Sequence, residues 1–369
     1  VILYRWRGET TNFGDELNTI LWPRLLPGFF DDDPSARFLG IGSVLDRRHP
    51  AATRKLVAGA AYGGYEGKPA LDATWTLHWV RGPRTAAAFG LPKSLGLGDP
   101  AVLMQHALSP HSSWPSPGLS GGLSGPPIPA RASIGGPDKP GHDDKGTTPR
   151  PKHLPADRYP AAPSRDSLGT GIGFMPHFES AARGAWQRAA DLAGVTMIDP
   201  RDPPLEILTA IARCRVLLSE ALHGIIVADA MRVPWVAIRP LARIHRPKWR
   251  DWAETVDVVP RFATLPPSTL AEWFGRSPVL ASRLQRHAHL LPAAEPMIGR
   301  AARALSRAAQ AEPQLSPDAA LERCQTRMLD AVVHLRRHPD APLSRITPAV
   351  RRSYLRREDD SAYEPVPIG

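Results

Sequence analysis

Three short clusters carry side chains able to hold an anion or move a proton. The first is Asn12-Phe13-Gly14-Asp15-Glu16-Leu17, set between an apolar run and an amphipathic one. Backbone N–H groups at a helix start attract negative charge, and Gly14 lets a ligand come close to the main chain. The plainer alternative is that Asn12 or Asp15 only caps the helix. In the second cluster, Val80-Arg81-Gly82-Pro83-Arg84-Thr85-Ala86, Arg81 offers a planar fork to a carboxylate or phosphate, or else makes a surface ion pair of small weight. Gly98-Asp99-Pro100 follows, and on its own reads as a turn. The third cluster, Ser219-Glu220-Ala221-Leu222-His223-Gly224, puts a histidine in the first turn of a helix beside a serine and a glutamate. Such a histidine suits acid–base work, although a lone histidine in an α/β core is more often structural. Arg239, Arg243, His245, Arg246 and Lys248 then make a dense cationic loop. Nothing in these clusters demands a metal ion.

Each cluster follows a predicted strand, at the end where open α/β sheets bind ligands. Strands are expected over residues 1–6, 38–44, 55–61 and 75–80, with helices over 16–26 and 83–89. After a gap the alternation resumes, with strands at 172–174, 195–198, 215–219 and 235–238 and helices at 180–193, 204–214, 222–231 and 248–255. That order implies mostly parallel sheets covered by helices. Beyond residue 265 the pattern is helical only, at 269–274, 280–291, 298–310 and 319–335. Ser316-Pro317-Asp318 supplies a capping hydroxyl, a first-turn proline and an acid for the last of these.

At 369 residues the chain is long enough for two domains, each burying a core of its own. The expected division is a Rossmann-like domain over 1–108, a second over 169–265, a helical region over 266–338 and a flexible tail over 339–369. Residues 109–168 read as a disordered linker or insertion, because 13 of the 41 prolines fall between Pro110 and Pro163 among glycine and serine. The net charge of +10 suits a nucleic acid, an anionic membrane or an anionic small substrate, so charge alone selects no partner. No interleaved basic and aromatic motif or helix-turn-helix signal points to nucleic acid. Two cysteines, Cys214 and Cys324, are too few for a disulfide framework or a zinc site. With no leader or membrane span visible, a cytoplasmic protein is expected.

Taken together, the blocks NFGDELN, FLGIGSVL, VRGPRTA, LGDPA, GFMPHFES, LLSEALHGIIVADA and VPWVAI, with a lysine soon after, resemble polysaccharide pyruvyl transferases of the succinoglycan-type exopolysaccharide branch. The resemblance covers roughly residues 1–105 and 170–260. It implies an α/β fold of two Rossmann-like, doubly wound domains facing a cleft, as in GT-B glycosyltransferases, followed by C-terminal helices. It also implies transfer of an enolpyruvyl group from phosphoenolpyruvate to a sugar of an exopolysaccharide or cell-surface glycan precursor, giving a pyruvate ketal. No cofactor is implied beyond that donor. A lipid-linked or polymeric saccharide acceptor and a peripheral contact with the inner membrane are expected.

Residue by residue, the resemblance places a family arginine on Arg81 and the histidine of an Arg-Leu-His motif on His223. Ala221 stands where that motif has its arginine, so Arg239, Arg243 or Lys248 is expected to supply the missing charge. Asp15 and Glu220 are the candidates to activate the acceptor hydroxyl, and Asn12, Gly14 and Ser219 are expected to help bind substrate. The expected geometry sets Arg81 and Lys248 on opposite walls of one crevice with His223 between them. A GT-B glycosyltransferase using a nucleotide sugar shares this architecture, and a non-enzymatic polyanion-binding protein is the rival from another class.

Overall fold

A computed structural model describes residues 1–8, 10–108, 171–241, 245–274 and 295–341. The expected insertion, the helix at 280–291, most of the tail and Arg243 lie outside these residues.

The first 108 residues build a four-stranded sheet. In chain order its elements are β1 (Ile2–Tyr4), α1 (Phe13–Glu16), α2 (Asn18–Leu25), β2 (Ala36–Leu39), β3 (Arg54–Ala58), β4 (Trp75–Trp79), α3 (Pro83–Ala88) and α4 (Met104–Leu108). The strands lie in the order β1-β2-β3-β4, every pair parallel. Residues 171–274 supply β5 (Gly171–Met175), α5 (Phe178–Arg183), α6 (Trp186–Ala193), β6 (Thr196–Met197), α7 (Pro204–Ala212), β7 (Cys214–Ser219), α8 (Leu222–Ala230), β8 (Trp235–Ile238), α9 (Pro247–Ala253), β9 (Phe262–Ala263) and α10 (Leu270–Phe274). Their sheet is also wholly parallel, in the order β6-β5-β7-β8-β9. The chain is therefore α/β, with parallel sheets and helices compatible with Rossmann-like folds. Continuous apolar runs explain the parallel strands: all four residues of β8 are buried, as helices covering both faces require.

The order of the second sheet matters for function. Its first strand, β5, has the second strand on one side and the third on the other, so the connections leave β5 and β7 in opposite directions. That divergence opens a crevice at their carboxyl ends, the usual ligand position in such sheets.

Helix α8 is apolar nearly all round, and every one of its residues except His223 is buried. It packs on α1, on α4, on the short 3-10 turn Pro100–Leu103 and on its own sheet. One apolar cluster consequently runs from Leu17 and Ile20 in the first half to Ile225 and Trp249 in the second. Two last helices, α11 (Glu295–Ala309) and α12 (Asp318–Arg337), divide between the halves, α11 against α6 and α12 against β4.

Two local expectations need correction. The helix expected over 180–193 is two helices, because Gly184 is extended between them and a side chain there would strike Trp186. Ser316 does not cap the last helix. Its hydroxyl, 2.6 Å from Asp229 Oδ2, donates to that buried carboxylate, and Pro317 takes the capping position without a side-chain bond. Asp229 also accepts from Trp235 Nε1 at 2.8 Å and from the Ser316 N–H at 2.8 Å, so both oxygens of this buried carboxylate are hydrogen-bonded.

Candidate active site

The carboxyl ends of both sheets contribute to one cavity of about 670 Å³. After β1 come Asn12, Gly14 and Asp15; after β2, Gly42 and Ser43; after β5, His177 and Glu179; after β7, His223; and from α9, Lys248.

Asp15 is buried, and Asn12 Nδ2 donates to its Oδ2 at 2.5 Å. Burial pushes its carboxyl up to about 6 against the pull of His223, the Asn12 hydrogen bond and Lys248. Gly14 lies so close to the imidazole of His223 that a Cβ there would run into Nδ1. On the other side of the ring, Nε2 is 3.4 Å from Oδ2 of Asp99. The pair is within ion-pair range without forming a hydrogen bond, and neither atom has a hydrogen-bond partner among the described residues. Asp99 is fully buried, and its Oδ1 accepts from the Ala101 N–H at 3.0 Å. Burial alone would raise its carboxyl, but His223, Arg81 and that N–H outweigh burial and hold it below the ordinary value.

Lys248 carries an ammonium whose pKa is lowered to about 8, chiefly by burial and then by Arg81, while Asp15, Glu179 and Asp99 oppose the shift. A second imidazole group flanks it. Tyr65 Oη lies 3.0 Å from His245 Nδ1, and His245 Nε2 lies 3.2 Å from Glu179 Oε2. The His177 and His245 rings stack with centroids 4.2 Å apart. Burial, and then His245, keep the His177 imidazole well below its ordinary pKa, hence neutral. His177, Glu179 and His245 are the described residues whose ligand atoms could converge on a metal ion, all within 4.8 Å of one another. The fit is loose: His177 Nδ1 already accepts from the Glu179 N–H at 3.4 Å, and Lys248 and Arg183 add positive charge nearby.

The other expected site residues stand beside or behind this cavity rather than in its lining. Arg81 is buried at 1% exposure; its Nε donates to Asp251 Oδ2 at 3.1 Å, and its Nη1 is 3.4 Å from Ser43 Oγ. It lines an adjoining cavity with Arg239, and Lys248 borders both spaces. Glu220 positions rather than lines: its two carboxylate oxygens accept the His177 N–H at 3.0 Å and the Leu241 N–H at 2.7 Å, tying together the loops after β5 and β8. Ser219 is buried, its hydroxyl 2.9 Å from the Ala221 carbonyl that it donates to, and so it shapes the turn into α8. The cavity thus brings together His223, Asp15, Asn12, Gly14 and Lys248. Sequence reasoning missed Asp99, His177, Glu179, Tyr65 and Arg183. The blocks LGDPA, which contains Asp99, and GFMPHFES, which runs from a strand through His177 and Glu179, offered the signals for three of them.

This arrangement, with parallel α/β sheets delivering acids, imidazoles and a lysine to one cavity, has the makings of an enzyme site. The family profile described as polysaccharide pyruvyl transferase matches residues 66–240. Succinoglycan biosynthesis protein ExoV of Rhizobium meliloti (strain 1021) is 31% identical over 364 residues, covering 90% of this chain and 98% of that protein. The chain belongs to the polysaccharide pyruvyl transferase family and is a transferase. No solved structure matches it.

Proposed function

We propose that the chain takes the enolpyruvyl unit of phosphoenolpyruvate, protonates its methylene to a methyl group and joins its central carbon to two hydroxyls of one sugar in an exopolysaccharide precursor, closing a cyclic ketal. The observation that carries this reading is His223, held between Gly14 and the buried Asp99 carboxylate in a cavity it shares with Asp15 and Lys248.

Phosphoenolpyruvate bears a phosphate and a carboxylate, so its site needs preorganised cations. Lys248 supplies one. Arg183, which lines the same cavity, is placed to replace the charge absent at Ala221. His223 delivers a proton to the methylene carbon, and Asp99 stabilises the imidazolium before transfer. One sugar hydroxyl bonds to the central carbon, losing its proton; the second bonds there as the carbon–oxygen bond to phosphate breaks. Of the two hydroxyl protons, one replaces that given to the methylene and the other leaves with inorganic phosphate. Asp15 is the better base for the acceptor, since its carboxyl titrates at about 6, whereas both oxygens of Glu220 are committed to backbone N–H groups. Each positioned proton transfer is worth ~10²- to 10⁴-fold.

The two sheets flank the cavity in a GT-B-like arrangement on this reading, with the donor between them. The reaction belongs in the cytoplasm, at the inner face of the membrane, on a lipid-linked or polymeric acceptor. Among the described residues no helix is long and apolar enough to cross a membrane. The test is incubation with labelled phosphoenolpyruvate and candidate lipid-linked oligosaccharides, reading label transfer and phosphate release. His223→Ala should abolish both, with cooperative unfolding retained; full activity in that variant removes His223 from the chemistry.

A further inference from the structure

Pyruvyl transfer from phosphoenolpyruvate requires one anion site, yet of the described residues in the loop expected to complete it only His245 and Lys248 line the cavity with His223, while Arg239 and Arg246 line an adjoining one with Lys248. A cavity of about 650 Å³ is lined by Arg81, Arg84, Arg239, Arg246, Lys248 and Arg250, with Asp251 as the only carboxylate in its described lining. That carboxylate is spent, since it pairs with Arg81 and accepts two backbone N–H groups and the Thr85 hydroxyl. Arg84 is paired with Glu254. The exposed side chains of Arg239 and Arg250 have no carboxylate partner among the described residues. Neither His223 nor Asp15 borders this space.

We propose that this cavity is a second anion site that takes a diphosphate group. Uncompensated charge of one sign in a concave wall concentrates the field there, and the guanidinium fork matches phosphate oxygens. A neighbouring groove of about 360 Å³ shares Arg239, Pro240 and Arg246 and continues over Leu265, Pro266 and Trp273. The diphosphate is therefore either a free anion or the head of an ester whose apolar substituent runs along that groove.

Calorimetric titration of the full chain with inorganic pyrophosphate tests the site without turnover, so it stands or falls apart from the proposed reaction. Pyrophosphate should bind in the presence of saturating phosphoenolpyruvate, weakened by no more than about three-fold through repulsion across Lys248. The double substitution Arg239→Glu with Arg250→Glu should weaken it by about ten-fold or more, in a protein whose circular dichroism is unchanged. One-for-one displacement by phosphoenolpyruvate, or an unaltered affinity in the charge-reversed variant, overturns the proposal. A short-chain alkyl diphosphate assigns the source: tighter binding than pyrophosphate, lost in Trp273→Ala, means an ester, and equal binding means the free anion.

Discussion

At the scale of single residues, the site holds charge at a cost to the fold. Asp15 has an ordinary carboxylate value of 3.8 and titrates at about 6 in the folded chain, where burial disfavours its charge. Between those two values the native state binds more protons than the unfolded one, so stability falls as pH rises through that window. Above it the whole cost, on the order of 3 kcal/mol, is present. Asp15→Asn should therefore raise thermal stability by about 1–3 kcal/mol at pH 7, with little difference from the parent near pH 4, while pyruvyl transfer falls. Melting curves of variant and parent across that range check the sign, and a gain over the parent no larger at pH 7 than at pH 4 contradicts it. The chemistry of Asp15 was visible in the sequence because a carboxylate beside a glycine after a strand is a readable pattern. Asp99 was not: Gly98-Asp99-Pro100 has the composition of a turn, and only the tertiary fold buries that carboxylate against His223, 124 positions further on.

At the scale of elements, sequence periodicity located most strands and helices, since buried parallel strands and amphipathic helices leave different apolar spacings. It failed where tertiary contacts decide. The break at Gly184 follows from packing against Trp186, and the Ser316 hydroxyl turns to Asp229 because that buried carboxylate outcompetes a helix end for donors. The contact of α1 with α8 belongs to the same class, since nothing in either segment announces that Gly14 must abut His223. Gly14→Ala should displace the imidazole rather than unfold the chain. We expect a fall of about 10²-fold or more in turnover with an unchanged far-ultraviolet spectrum, and near-normal turnover would show that the ring tolerates movement.

At the scale of the whole molecule, Asp251 joins the halves. From α9 it accepts the N–H groups of Arg84 and Thr85, each at 3.0 Å, at the start of α3, and it neutralises Arg81 from the same carboxylate. It thus caps a helix of the first half with a side chain of the second. Breaking one partner of a buried pair leaves the other charge uncompensated, so Asp251→Ala should cost about 3–5 kcal/mol. Denaturant unfolding measures this, and a loss under about 1 kcal/mol would mean that water reaches Arg81.

The shared cap also limits how such a protein can be recombined. A chimera taking residues 1–108 from this chain and the remainder from a relative would receive Arg81 and the bare amide ends of α3 from one parent and their acceptor from the other. Grafts made at the long proline-rich segment would preserve each sheet and still fail unless the carboxylate at position 251 travels with the arginine it serves.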